Sequence, residues 1–330
     1  MSKLTLSLAV SAYDHVRDVA SGAVPIEGIQ LVTTHGPIEE LLYRTHNNAE
    51  WHISELGMGS YTSQLARGEQ PYLALPVYTS RVFRHSSVYV RKGAGIRIPA
   101  DLNGKRIGVP EWGMAAVVYV RGMLEESYGF DPASAKWIQA GLHQPGRMDR
   151  MPPRADLRFN YTQVKDRSLC DMLLAGELDA VLSARTPDIF HLPDSPLERM
   201  FQNLHEEELS YWQRTGIFPV MHLIGLRRDV YEEHPWVVKQ LCNAFEESKR
   251  RSLLRARDTA GSYYPVPLML HAVREAEAVA GADFWPYGLE GNNHASLAAF
   301  LRYAYRHGVT ERELAVEELF PIEALFNPVT

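Results

Sequence analysis

Two guanidinium groups and an imidazole stand close together in "VYTSRVFRHSSVYVRKG", Val77–Gly93: Arg81, Arg84 and His85. A guanidinium can hold a carboxylate through two parallel hydrogen bonds. An imidazole can move a proton near neutral pH. A second imidazole, His222, lies among apolar neighbours in "FPVMHLIGL". Asp14 and Glu55 close two strand-like runs, and either can accept a proton from a hydroxyl. Arg147 in "PGRMDR" and Arg185 in "SART" can offer further cations from elsewhere in the chain. Tyr78 and Trp112 present flat faces against which an aromatic ring can stack. Each has a plainer explanation. A lone arginine is commonly salt-bridged, and a lone histidine in an apolar strand is commonly a satisfied core residue. Asp14 suits a helix N-cap, Glu111 a helix-dipole partner, and the aromatics ordinary packing.

The elements that must position these groups alternate along the chain. "LTLSLAV" has the two-residue period of a strand, and "YDHVRDVASG" reads as a short helix ending at Gly22. "IQLVTTH", "EWHISEL" and "YLALPVYTS" follow as strands. They are separated by helices in "GPIEELLYRTHN", with Pro37 in its first turn, and "GSYTSQLARGE". The Val77–Gly93 stretch continues the strand pattern through Val82, Val88 and Val90. A second unit opens near Asp101 with a strand "RIGVP", a helix ending near Gly129 and a strand "AKWIQAG". It goes on to a helix–strand pair in "SLCDMLLAGELDAVLSA". "GIFPVMHLIGLRRD" returns as a strand. The C-terminal third is helical, with Val237, Leu241, Phe245 and Leu253 on one face and Lys249, Arg250 and Arg251 expected in solvent. This is the grammar of mainly parallel sheets covered by helices.

The whole chain sets limits. At 330 residues it predicts two domains. A formal charge of -6 gives no support for nucleic-acid or anionic-membrane binding. Cys170 and Cys242 show no zinc spacing and read as buried thiols. "MSKLTLSLAVSA" mimics a secretion leader, but its apolar run is short and broken by Thr5 and Ser7. It is expected to be a strand of a cytoplasmic protein. Gly57-Met58-Gly59 is too little for a nucleotide loop, and neither a Walker pattern nor GxSxG is present. His15, Asp14, Glu55, His85 and His222 could gather as metal ligands. Without a short ligand spacing, a divalent metal is the lesser alternative and no cofactor is expected.

"DLNGKRIGVPEWGMAA" and "MLLAGELDAVLSA" resemble the second lobe of type II periplasmic substrate-binding proteins. A resemblance over nearly the whole chain is to 4,5-dihydroxyphthalate decarboxylases. It is carried by "SRVFRHSSVYVRKGAGI", "GKRIGVPEWGMAAVVYVRGML", "RTGIFPVMHLIGLRRDVYEEHPWVVKQLCNAF", "FWPYGLEGN" and "EELFPIEALF". That resemblance implies an α/β, two-lobed type II periplasmic-binding-protein-like fold whose lobes are joined by two crossing strands. One lobe takes residues 1–95 and 217–330 and the other 96–216, with the active site in the cleft between them. It implies conversion of a hydroxylated aromatic acid, 4,5-dihydroxyphthalate, to protocatechuate and CO2 by protonation of a ring carbon. His222 or His85 supplies the proton, with preference for His222, and Asp14 or Glu55 accepts one from a ring hydroxyl. Arg81, Arg84, Arg147 and Arg185 hold carboxylates, and His15, Trp112, Ser60 and Tyr78 complete the substrate contacts. The chain departs from the family pattern at His15, Gly57, Trp112, Gly113 and Ala184, so the accepted acid can differ. The partner is a small aromatic carboxylate, with no nucleic acid or membrane, and homo-oligomerisation is left open. The alternative is a binding protein of the same fold that captures a small carboxylate without turning it over.

Overall fold

The structure is a computed structural model that describes residues 3–157 and 159–320. The chain begins with β1 (Leu4–Ala9), α1 (Asp14–Ala20), β2 (Ile29–Thr34), α2 (Ile38–Asn48), β3 (Ile53–Gly57), α3 (Met58–Ala66) and β4 (Tyr72–Arg81). It continues through β5 (Val88–Arg91), β6 (Arg106–Val109), α4 (Ala115–Tyr128), β7 (Lys136–Gln139) and β8 (Asn160–Gln163). Then come α5 (Leu169–Leu174), β9 (Ala180–Leu182), β10 (Leu197–Arg199) and α6 (Leu204–Thr215). β11 (Val220–Arg227) is followed by α7 (Arg228–Glu233), α8 (Val237–Arg257), α9 (Met269–Ala280) and α10 (Asn292–Arg306). Among the described residues no helix is long and apolar enough to cross a membrane.

The strands form two sheets, ordered β2-β1-β3-β11-β4 and β10-β5-β9-β6-β7-β8. β1 is parallel to β2 and β3, while β11 runs antiparallel between β3 and β4. In the second sheet β9, β6, β7 and β8 are parallel neighbours, and β5 is antiparallel to β9 and β10. The expected mainly parallel sheets are therefore mixed, and every antiparallel pair involves β5 or β11. These are the strands on which the chain changes sheet. A strand arriving from the other lobe is free of the helical crossover that makes βαβ neighbours parallel. β5, expected in the first lobe, pairs in the second sheet, so the first crossing lies between Arg81 and Val88. The strand pattern read through Val82 is interrupted there by a 3-10 turn at His85–Ser87.

Alternation in β1 buries Leu6 and Leu8. α8 lays Val237, Val238, Leu241 and Phe245 on the first sheet's core. Lys249, expected in solvent with Arg250 and Arg251, continues that buried face four residues after Phe245. It is 1% exposed, with Nζ 2.6 Å from Asp283 and 2.8 Å from Glu246. The largest apolar cluster joins both sheets, from Leu56 and Tyr78 through Ile107 and Trp137 to Phe300 and Tyr303. α10 belongs to it because Gly122 lets α4 come close. A Cβ at Gly122 would meet the Tyr303 ring at 2.1 Å.

Burial also sets a pH dependence. His85 is fully buried and His307 is 2% exposed, and burial pushes both imidazoles down to about 4. A depressed folded pKa means stability complete above the unfolded value, about 6.5, and lost as pH falls toward about 4. Each such histidine contributes a slope of about 1.4 kcal/mol per pH unit. Urea unfolding between pH 7 and 5 should show stability falling with acid. His85→Phe, in its aromatic surroundings, should flatten the slope by about one proton.

Candidate active site

Glu55 stands on β3, fully buried, near the strand's carboxyl end. A buried carboxylate needs donors, and the neighbouring elements supply four. The Ser11 N–H donates to Oε2 at 3.1 Å, and the Tyr13 hydroxyl to Oε1 at 2.8 Å. The Thr79 hydroxyl reaches Oε1 at 3.2 Å, and Nδ1 of His222 lies 2.7 Å from the same oxygen. Burial alone would raise the Glu55 pKa. The hydrogen bond and charge of His222, then Ser11 and Tyr13, outweigh it and hold the carboxyl below its usual range. Burial, reinforced by Glu55, lifts the Tyr13 phenol well above its usual value, so it remains a donor.

The backbone explains this convergence. On β11 His222 lies opposite Gly57 of β3 and Ser80 of β4, while Glu55 lies opposite Ile224. The two side chains are thus diagonal neighbours on adjacent strands, within reach of long side chains. On the other side of β11 the pairing slips repeatedly between Val220 and Ile224, where β4 carries Pro76 without an N–H to donate. That irregularity leaves Thr79 between two paired positions, free to face Glu55. The loop after β1 brings Ser11 and Tyr13. The cluster therefore sits outside the carboxyl ends of β1, β3 and β4, the side where ligands bind in open α/β sheets.

With Nδ1 against Glu55, the other nitrogen of His222, Nε2, has no partner among the described residues and is not sealed in. The side chain is 16% exposed. Arg84 is a cation near Tyr13 and against Met221, the residue before His222. Its Nε lies 3.2 Å from Met221 Sδ, and its terminal nitrogens have no acceptor among the described residues. Burial pushes the Arg84 guanidinium down to about 10, against the pull of the nearby Tyr13 and Tyr89 hydroxyls. His15, on α1, stacks on Tyr13 at 5.5 Å between ring centroids and lies 5.1 Å from Trp285. Burial pushes its imidazole down to about 4, against Glu55 and Asp14, so it is neutral at neutral pH. Its Nε2 is buried and unpartnered, although other parts of the residue keep some exposure. Ser60 lines a small pocket beside Glu55 with Gly57, His46 and Tyr61.

The remaining candidates stand elsewhere. His85 does not face the cleft. It is caged by Tyr128, Phe201 and Tyr211, with Nε2 2.9 Å from the Tyr128 hydroxyl. Asp14 is not the N-cap, a position Tyr13 holds, and its carboxylate is already occupied by Arg255, Arg17 and the Tyr264 hydroxyl. Arg81 is buried against carbonyls and Asn293. Arg147 pairs with Glu111 at 2.7 Å, joined by Arg150, so Glu111 neutralises two arginines. Arg185 is bidentate to Glu39 of α2 at 2.5 and 2.6 Å, a bridge between lobes. Trp112 is fully buried against Trp137, Phe159 and Tyr161, and Tyr78 is buried with its hydroxyl on the Gly288 carbonyl. Neither can stack on a ligand. Gly59 has a packing purpose: a Cβ there would lie 1.9 Å from the Gly113 carbonyl oxygen, where α3 meets the second lobe. The five residues weighed as metal ligands divide among these environments, and among the described residues no three His, Cys, Asp or Glu side chains gather as a metal set. Tyr13, Thr79 and Trp285 were not legible as site residues. Tyr13 carried a signal in its place at the end of the first strand, and Trp285 in lying within the family-like stretch "FWPYGLEGN".

Two α/β lobes linked by crossing strands, with a polar site at the strand ends, define a periplasmic-binding-protein-like fold. The periplasmic aliphatic sulphonate binding protein SsuA from Escherichia coli superposes with a TM-score of 0.53 at 10% identity, over 97% of this chain and 92% of that one. No protein-family profile matches the chain. Its sequence is 37% identical over 321 residues to a 4,5-dihydroxyphthalate decarboxylase of Comamonas testosteroni, covering 97% of each. It is 40% identical over 192 residues to one of Pseudomonas putida, covering 58% of this chain and 74% of that protein. The chain belongs to the 4,5-dihydroxyphthalate decarboxylase family.

Proposed function

We infer that the protein is a carboxy-lyase that converts 4,5-dihydroxyphthalate to protocatechuate and CO2, with Glu55 and His222 as its catalytic pair. The observation that carries the assignment of roles is a buried, four-fold hydrogen-bonded carboxylate orienting an imidazole whose second nitrogen has no partner among the described residues. Full-length identity to a named decarboxylase supports the reaction.

The chemistry follows from the substrate. Carbon 1 of the ring bears the departing carboxylate and lies para to a hydroxyl. That hydroxyl gives its proton to water and feeds electrons through the ring, while carbon 1 takes a proton from Nε2 of a protonated His222. The ring is then a dienone. The bond to the carboxylate breaks, CO2 leaves, and its electron pair restores the aromatic ring and a phenolate oxygen, which takes a proton back from water. One proton enters at carbon for each CO2 released. The ring oxygen lends the electron pair that makes the new C–H bond and takes back that of the broken C–C bond, so the sequence of steps asks for no separate electron sink. Glu55 fixes the imidazole so that Nε2 faces the ring. Arg84 holds the carboxylate that stays. Within the cleft, fixed protein dipoles replace the hydration of the one that leaves.

The same reading places the enzyme in the cytoplasm, in catabolism of aromatic acids such as phthalates. Incubation with 4,5-dihydroxyphthalate and a panel of hydroxylated benzoates, followed by mass spectrometry, tests the assignment. Protocatechuate and CO2 in equal amounts are expected. Tight binding of acids without CO2 release across the panel would instead indicate a binding protein.

A further inference from the structure

We propose that Trp285 is the face on which the substrate ring stacks, and that Arg81 is a positioning residue that sets it. The inference rests on the aromatic substrate proposed above. Arg81 is 4% exposed and has no carboxylate partner among the described residues. An uncompensated buried cation is expensive, and its contacts show what it holds. Nη1 donates to Asn293 Oδ1 at 2.8 Å and to the Pro286 carbonyl at 3.3 Å, and Nη2 to the Phe218 carbonyl at 2.8 Å. Asn293, fully buried, donates in turn to the carbonyls of Pro286, Tyr287 and Gly288. The Gly288 N–H donates to the Pro76 carbonyl at 2.9 Å. At the other end of the same loop Lys249 holds Asp283.

Between these anchors the loop presents one indole. Trp285 Nε1 donates to the Tyr78 carbonyl at 3.0 Å, which fixes its edge against β4. Its ring lies 5.1 Å from His15 and 5.4 Å from Phe218, centroid to centroid. Phe218 leads into β11 and His222, and His15 stacks on the tyrosine that holds Glu55. The indole keeps part of its surface exposed, and His15 and Tyr13 link it to the carboxylate–imidazole pair. Nε2 of His15, on the ring beside that indole, is buried and has no partner among the described residues. A flat ring and an unsatisfied polar atom together describe a place for a polar aromatic molecule.

The test uses phthalate, which keeps the ring and both carboxylates but has no hydroxyl to drive turnover, so binding is read apart from catalysis. Calorimetry on the full chain should show Trp285→Leu weakening phthalate binding about 3- to 10-fold, the usual worth of an aromatic pair. Trp285→Phe should restore most of it. Arg81→Lys should weaken binding similarly, and adding it to Trp285→Leu should cost nothing further, because the two act through one contact. Asn293→Ala, which frees the loop while keeping the cation, gives the same result if Arg81→Lys does not fold. An unchanged Kd in Trp285→Leu, or additive losses in the double variant, overturns the proposal. Failure of the wild-type chain to release CO2 from 4,5-dihydroxyphthalate would remove the decarboxylase reading while leaving this result legible.

Discussion

Replacing His222 with asparagine lowers CO2 release by ~10²- to 10⁴-fold, the usual worth of a positioned general acid, and leaves substrate affinity within a few-fold. Asparagine is the informative substitution because its amide can still donate to Glu55 from near the position of Nδ1. The buried carboxylate keeps four donors, so the fold avoids the cost of an orphaned charge. What is lost is Nε2, the nitrogen without a partner among the described residues. Turnover measured with binding separates the roles: a proton donor shows its loss in kcat, a ligand contact in Kd. Near-normal turnover in a folded His222→Asn variant would remove the imidazole from the mechanism.

Arg84→Met moves binding and stability apart. The guanidinium has a thioether neighbour, no carboxylate among the described residues and a pKa pushed down to about 10, mainly by burial. It is a partly desolvated cation waiting for an anion. Its removal should weaken binding of the aromatic diacid by about 10²-fold, the scale for truncating one partner of a desolvated charge pair. The free protein should not lose stability, and Tm should hold or rise, because an apolar side chain there is spared the desolvation cost. Arg255, which already pairs with Asp14 and Asp18, provides the contrast. Arg255→Met should lower Tm. Parallel loss of binding and Tm in Arg84→Met would mean that the arginine serves the fold.

Most of the architecture was legible because period and punctuation coincide. β1, β3, β4 and β11 alternate or run apolar, and α4 ends at Gly129 in the left-handed conformation that caps a helix. The missed elements lacked those signals. β8, "NYTQ", is polar with two exposed residues, and β10 spans only Leu197–Arg199. α6, "LHEEELSYWQRT", buries only Tyr211 and Trp212. The site was legible in part. Glu55 and His222 could be named because charged residues in apolar strands need partners. Their meeting depends on β11 inserting between β3 and β4, which no local pattern reveals. His85 and Trp112 have sequence surroundings like those of the site residues and differ only in what packs on them. Arg147 and Arg185 found carboxylates 36 and 146 residues away. Trp285 belongs to a loop placed by tertiary contacts alone.

The most direct test is a crystal structure with phthalate bound. One carboxylate should lie on the terminal nitrogens of Arg84, and a carboxylate-bearing ring carbon about 3–3.5 Å from Nε2 of His222, the separation of a near-attack arrangement. A bound diacid that leaves Arg84 empty, or a His222 whose Nε2 turns into the protein away from the ring, would contradict the assignment of Glu55, His222 and Arg84 as the working centre.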